Sequence, residues 1–384
     1  MQVARLLLQQ PRHRPCRPRV FPRPQPLPYR VEPARRHGRH SARIRPVLQR
    51  PGRARLPDLG WTTMTPRRTP VVAIDIGGTS IKGARVSADG EILARARVAT
   101  PVAEGAEAIL ETLARLCRSL AGRHSVQTIG LGVPGAIAPR RGVVHASPNV
   151  PCWHDEPLGP RLARRLGLRV RLDNDANLHA LGEHWRGAGR GARNLLLATL
   201  GTGVGGGLIL DGRVWHGDTG RAGELGHTVV DPHGPPCACG ARGCVEAYAS
   251  ATGIVGAWRR AWSVDPARPR PRDRRILADT PETIAGRARR GDARARAVYE
   301  AAGRALGIAV ADWIQILDIR TVLLGGGVAG AFDLLEPAVR RELQHRLFGV
   351  EPGTIRLERA ALGNDAGILG AARLALGRAA PAPR

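Results

Sequence analysis

The chain has 384 residues, a formal net charge of +27, 43% hydrophobic residues and six cysteines. That length supports two domains with separate cores. Six cysteines are too few for a disulfide scaffold, and no apolar run reaches the ~18 residues of a transmembrane helix. The opening apolar run, Leu6-Leu7-Leu8, is too short for a signal peptide, so a reducing cytoplasm is the expected compartment. Residues 1–63 come first. They hold 15 arginines against two acidic residues, Glu32 and Asp58, and 11 of the 31 prolines, with neither helical nor strand periodicity. The composition reads as a disordered leader. It could be a basic arm for nucleic acid or a transit peptide, although transit peptides are serine-rich and Ser41 stands alone here. The preferred reading is arginine-proline text upstream of a true start at Met64, because patterned sequence begins directly after that residue. Arginine is used almost exclusively throughout, so the high pI is not read as a sign of nucleic-acid binding.

From 71 to 98 the chain reads VVAIDIGGTSIKGARVSADGEILARARV. Residues 71–76 form a buried strand, Gly77-Gly78 a tight turn, 81–86 a second strand, and Asp89-Gly90 a hairpin turn before a third. Asp75 lies near the end of the first strand. Glycines allow close backbone approach to a phosphate, and Thr79 and Lys82, the only lysine in the chain, can donate to its oxygens. No GxxxxGK[ST] is present, and a strand follows the glycines where a P-loop has a helix. An ordinary hairpin fits these residues equally well.

In RLGLRVRLDNDANLHALGEHW, 168–172 is a strand and a helix runs from Ala176. Asn174-Asp175 lies at the junction. It is read either as a helix cap or as a catalytic carboxylate at the carboxyl end of a strand in an open α/β sheet, where such sheets bind ligands. Next, LLLATLGTGVGGGLILDGRVW matches GxGxxG at Gly201, Gly203 and Gly206. The apolar 208–210 and the turn Asp211-Gly212 follow, so this is again strand, glycine loop, strand, without the helix start of a Rossmann site. Two such hairpins suggest two related α/β domains with a nucleotide between them. In PCACGARGCVE, Cys237, Cys239 and Cys244 crowd eight positions. Metal binding, redox chemistry and disulfide pairing are all open on spacing alone. Gly325-Gly326-Gly327 follows the strand 321–324 and could cover a nucleoside. Cys117 reads as helix core and Cys152 as a bystander.

Taken in order, DIGGTSIKG, LGVPGAI, SPNVPCW, DNDAN, TLGTGVGGG, GELGH, CACGARGCVEAYAS and LLGGGV resemble the ROK family of bacterial sugar kinases and repressors, over residues 71 to about 375. The resemblance implies an α/β actin-like ATPase fold, with two ribonuclease H-like domains and a nucleotide and sugar cleft between them. The expected limits are 64–187 and 188–364, with a helix near 365–379 packing back on the first domain. It implies a structural zinc on His227, Cys237, Cys239 and Cys244, a closed set of three thiolates and an imidazole that leaves no position for substrate. It implies sugar contacts from Asn149, Asn174, Asp175, Glu224, His227 and Glu246, with Asp175 as general base. ATP would lie on Asp75, Gly77, Gly78, Thr79, Lys82, Thr202, Gly203, Gly326 and Gly327, with Mg²⁺ held through Asp75. The implied activity is transfer of phosphate from ATP to a hexose, foremost glucose. N-acetylmannosamine or N-acetylglucosamine is the alternative acceptor. The expected partners are a hexose, ATP and a second copy of the chain in a homodimer, with no membrane and no nucleic acid. Repressors in this family carry a winged helix-turn-helix before DIGGT, and 1–63 is too proline-broken to form one.

Overall fold

The first five-stranded sheet is built from β1 (Val71–Ile76), β2 (Ser80–Val86), β3 (Ile92–Ala99), β4 (Thr128–Val133) and β8 (Arg169–Asn174). The computed structural model describes residues 69–267 and 270–377, so the readings of 1–63 lie outside the described residues. Between β4 and β8 a small sheet forms from β5 (Ala136–Ala138), β6 (Val143–Ala146) and β7 (His154–Glu156). The large sheet has the order β3-β2-β1-β4-β8. Its first three strands are antiparallel, and β4 and β8 run parallel to β1. The continuous apolar texts of β1 and β4 suit the sheet centre, because a central strand is covered on both faces.

A second sheet repeats this plan. It comprises β9 (Leu195–Leu200), β10 (Val204–Leu210), β11 (Arg213–Val214), β12 (Thr321–Gly325) and β13 (Arg356–Arg359), in the order β11-β10-β9-β12-β13. Again the first three strands are antiparallel and the last two parallel to the first. Among the described residues the α-helices are α1 (Gly105–Ala121), α2 (Leu158–Leu166), α3 (Asp175–Arg186), α4 (Glu246–Ala249), α5 (Ala251–Ala261), α6 (Arg274–Leu277), α7 (Pro281–Arg289), α8 (Ala293–Leu317), α9 (Phe332–Arg346) and α10 (Ala366–Leu376). Cys117 is buried on α1, as read from the sequence, and Cys152 is exposed.

The strand limits follow the sequence reading closely, with one correction at the second glycine hairpin. Its turn is only 201–203, and Gly205, Gly206 and Gly207 lie inside β10 rather than in a loop. The cause is packing. A Cβ at Gly207 would collide with Ala180 and the Ala176 carbonyl of α3, which lies directly across the strand.

Three apolar clusters result. One fills the first lobe around Ile74, Leu113, Leu131 and Trp153. One fills the second around Trp258, Tyr299, Leu306 and Leu324. The third joins the lobes, where α3 and α10 bring Leu178 and Ile368 between Ala73 of the first sheet and Leu197 of the second. The two helices cross at backbone contact. A Cβ at Gly370 would overlap the Leu178 carbonyl, and one at Gly182 the Ala366 carbonyl.

The chain passes between the lobes twice, after α3 and before α10, and one side chain ties both passages. Glu183 is wholly buried. Its carboxylate accepts from Ala188 N–H (2.8 Å) on the first passage, and from Ala361 N–H (3.1 Å) and Leu362 N–H (2.7 Å) on the second. Glu183→Ala is expected to lower stability by about 2–4 kcal/mol, through a buried cavity and three donors left without their acceptor. Thermal unfolding measures it, and a Tm equal to wild type would count against the tie.

Candidate active site and metal centre

Both glycine turns stand at the same place in their sheets. Asp75 is the fifth residue of β1, opposite Lys82 on β2 and Gly132 on β4. Gly77 N–H donates to the Ser80 carbonyl (3.0 Å), and the Thr100 hydroxyl to the Gly77 carbonyl (2.6 Å), so the turn is braced from β3's end. Thr79 at its tip is exposed. Asn149 leans over this turn, with its Cβ about 3.1 Å from where a Cβ on Gly78 would lie. Lys82 lies close to Asp365. The Arg95 guanidinium, bonded to Asp365 at 2.6 and 2.8 Å, holds that carboxyl below the usual range, and Lys82 adds to the effect.

At the carboxyl end of β8, the two readings of Asn174-Asp175 separate. Asn174 is the cap of α3. Its Oδ1 accepts from Ala176 N–H (2.9 Å) and Asn177 N–H (3.4 Å), and its Nδ2 donates to the Gly135 carbonyl (3.1 Å). Asp175 is the first helical residue, and its Oδ1 accepts from Ala176 N–H at 2.9 Å. Burial raises the Asp175 carboxyl above the usual carboxylate range, and the nearby Asp75 charge pushes the same way, while His179 opposes them. The two carboxylates therefore share one neighbourhood, at the ends of strands separated only by β4.

In the second lobe the turn 201–203 is closed by Gly201 N–H to the Gly203 carbonyl (2.9 Å) and held by Thr252 Oγ1 to the Thr202 carbonyl (3.0 Å). Gly326, at φ +83°, lies against the end of β9, where a Cβ would overlap the Leu200 backbone. Gly327 follows it, exposed.

His227, Cys237, Cys239 and Cys244 each offer a ligand atom, and these atoms all lie within 4.8 Å of one another. Cys237 Sγ is 3.8 Å from His227 Nδ1, and Cys239 Sγ is 3.7 Å from Cys244 Sγ. The loop is folded by short local bonds: Cys237 N–H to the Ala241 carbonyl, Val230 N–H to the Gly243 carbonyl and Val245 N–H to the Thr228 carbonyl. Three sulfurs and one imidazole nitrogen at this spacing suit a tetrahedral ion with no open position. Glu224, exposed, precedes the short turn that carries His227. Glu246 opens α4 two residues after Cys244. Its Oε2 accepts from Val204 N–H (2.9 Å), and its Oε1 lies 3.7 Å from Cys237 Sγ. Gly203 is glycine because a Cβ there would overlap this carboxylate. One side chain thus joins the cysteine loop to the glycine turn.

The ROK family profile matches residues 71–378. The chain belongs to the ROK family. Glucokinase of Thermotoga maritima is 38% identical over 312 residues, 79% of this chain and 96% of that protein. N-acetylmannosamine kinase of Citrobacter koseri is 34% identical over 310 residues, 80% of this chain and 98% of that protein. Among solved structures, a ROK glucokinase from Streptomyces griseus in complex with glucose and AMPPNP is 33% identical, with a TM-score of 0.65 over 80% of this chain and 99% of that one. The fold of this ROK protein is the two-domain actin-like ATPase fold implied by the sequence motifs, and the repeated sheet order is its internal signature. Among the described residues, no helix is long and apolar enough to cross a membrane.

Some residues of this site escaped the sequence reading. Asp173, the first acid of DNDAN, is 1% exposed, and its Oδ2 accepts from His216 Nε2 at 2.7 Å. A lone histidine in a polar loop carries no local signal that it will meet a carboxylate 43 positions away. The Glu246–Val204 bond was equally invisible, since DNDAN-type motifs identify residues and not their long-range partners.

Proposed function

We propose that this ROK protein is an ATP-dependent hexose 6-phosphotransferase with glucose as its acceptor, producing glucose 6-phosphate and ADP. The observation that carries the reading is the Asp175 carboxylate: desolvated, beside Asp75, and directly after the carboxyl end of β8. A carboxyl raised above the usual carboxylate range is better matched to abstracting a hydroxyl proton than an ordinary one. Asp175 takes the proton of the sugar's primary hydroxyl. That oxygen bonds to the γ-phosphorus of ATP in line, and the bond from the γ-phosphorus to the β-phosphate oxygen breaks to release ADP. Gly78, Thr79, Thr202 and Gly203 offer backbone and hydroxyl donors to the phosphates, Gly77, whose own N–H closes the turn, lets them approach closely, Lys82 adds charge beside them, and Gly326 and Gly327 border the nucleoside. Asp75 would hold Mg²⁺, which when bound neutralises charge on the β- and γ-phosphates. Asn149, Asn174, Glu224, His227 and Glu246 orient the sugar's hydroxyls. His227, Cys237, Cys239 and Cys244 would hold a structural Zn²⁺.

The reading includes domain limits at 64–187 and 188–364, with the last helix returned to the first domain. It also includes a homodimer working in the cytoplasm. Glucose is favoured over an N-acetylhexosamine by the higher identity to glucokinases, 38% against 34% for the N-acetylmannosamine kinase. A coupled ADP assay with ATP and a panel of glucose, mannose, fructose, allose, N-acetylglucosamine and N-acetylmannosamine tests it. The highest kcat/KM is expected for glucose. Higher kcat/KM on N-acetylmannosamine would move the assignment to that acceptor, and no turnover on any sugar would overturn the kinase reading.

A further inference from the structure

The Asp173–His216 pair crosses from one lobe to the other. Asp173 is the fifth residue of β8 in the first lobe, two positions before Asp175. His216 follows β11 in the second lobe, where Trp215 N–H bonds the Leu208 carbonyl of β10. Asp173 is fully buried and takes three donors: Asn174 N–H (2.8 Å), Asn177 Nδ2 (3.0 Å) and His216 Nε2 (2.7 Å). The first two belong to the turn that sets Asp175. The third is the only one of these donors supplied from the opposite lobe. The His216 carbonyl in turn accepts from Ala222 N–H (3.1 Å), closing the loop that runs on to Glu224.

We infer that His216 is a positioning residue for Asp175. It acts through Asp173, and it makes the setting of the base depend on how the second lobe sits against the first. This rests on the reading of Asp175 as general base. A buried carboxylate with only two of its three donors can rotate, and both remaining donors lie in the turn that would rotate with it. A shift of about 1 Å in a reacting group can cost ~10²-fold in rate. Two charged groups act on the imidazole. The Asp173 carboxylate raises its pKa above the ordinary histidine value by accepting its hydrogen bond, and Arg140, from the hairpin between β5 and β6, opposes this together with burial. Asp218 and Arg221 share its loop. The imidazolium form of the bond is the charge-assisted one. It is complete below the ordinary histidine pKa and is lost as pH rises through the raised value.

The experiment compares His216→Ala, His216→Gln and Asp175→Asn in the full chain. A glutamine amide can still donate to Asp173. His216→Ala is expected to lower kcat on glucose about 10-fold or more, with the KM for ATP little changed, and His216→Gln to restore kcat to within about 3-fold of wild type. The wild-type kcat should fall a few-fold on the alkaline side, and His216→Gln should lack that limb. His216→Ala within about 2-fold of wild type overturns the inference. So does a folded His216→Gln as slow as the alanine variant, since the ring would then only fill space. If His216→Ala does not fold, an alkaline limb unchanged in His216→Gln overturns it. Near wild-type turnover by Asp175→Asn would sink the base reading itself, whereas an inactive Asp175→Asn beside a normal His216→Ala would sink only this inference.

Discussion

Asp175→Asn is expected to fold, to bind sugar and ATP, and to transfer phosphate about 10²- to 10⁴-fold more slowly than wild type, the usual cost of losing a general base. The helix should survive because Asn174, not Asp175, is its cap. An asparagine at 175 keeps an oxygen for Ala176 N–H and loses only the charge at the helix start, worth roughly 0.3–1 kcal/mol. Activity and stability should respond to pH in opposite directions. The raised Asp175 carboxyl is favoured protonated in the folded protein. Its contribution to stability is therefore present below the ordinary carboxylate pKa and is lost as pH rises through the raised value. Catalysis needs the ionised form and appears over that same interval. The kcat profile of the wild type should show an acid limb above the ordinary carboxylate range, and Asp175→Asn should lose the matching dependence of Tm on pH. Calorimetric sugar binding separates this variant from Asn174→Ala. The latter gives up the cap, about 1 kcal/mol, together with the tie to Gly135, and should raise the sugar's KM more than it lowers kcat. Near wild-type turnover by Asp175→Asn would leave Asp175 a first-turn helix residue and send the search for the base to Glu224 or Glu246.

The sequence made local structure legible and long-range partnership illegible. The hairpin at 71–98 was readable because apolar runs, paired glycines and Asp89-Gly90 each act within a few residues. The repeat at 195–215 was readable for the same reason, except that Gly205 to Gly207 carry turn chemistry in their text. Only the approach of α3 across the strand, set by packing, keeps them in β10. The cysteine loop was legible because its ligands lie within 18 positions and fold through short bonds. Asn174-Asp175 could not be divided between cap and carboxylate, since both side chains can cap, and only the geometry shows which oxygen reaches two amides. Glu183 gave no signal at all. A glutamate on a helix between Gly182 and His184 reads as surface, yet it binds amides 178 and 179 positions away. Periodicity reports which face of an element is buried. It does not report which buried polar atoms will meet.

The second large effect is expected at the cysteine loop. Cys239→Ser should release one equivalent of zinc per chain, lower Tm and reduce activity, because the binding energy of a structural zinc is also folding energy, about 10–16 kcal/mol in zinc-finger peptides near neutral pH. The loop has little else to hold it. Its outer residue Val229 is 46% exposed, and besides local backbone contacts the loop has only a few side-chain bonds, among them Trp313 Nε1 to the Thr228 hydroxyl (2.9 Å) and the Tyr248 hydroxyl to Asp231 (3.0 Å). Without metal, burial pushes the Cys244 thiol up to about 12, so the apo loop buries a protonated thiol against two others instead of ligating with three thiolates. Ligation must displace those protons, and metal affinity should therefore weaken on acidification. The damage should reach the chemistry by a traceable route. Glu246 follows Cys244 by two residues, and its carboxylate holds Val204 N–H beside the glycine turn 201–203. A loosened loop therefore displaces a proposed sugar contact and the proposed phosphate cradle together, raising the KM for both substrates. That pattern differs from Asp175→Asn, in which kcat falls while Tm at neutral pH does not. Metal content by mass spectrometry, Tm and both KM values decide the matter, and full activity with an unchanged Tm in a metal-free preparation would end the case for a structural ion.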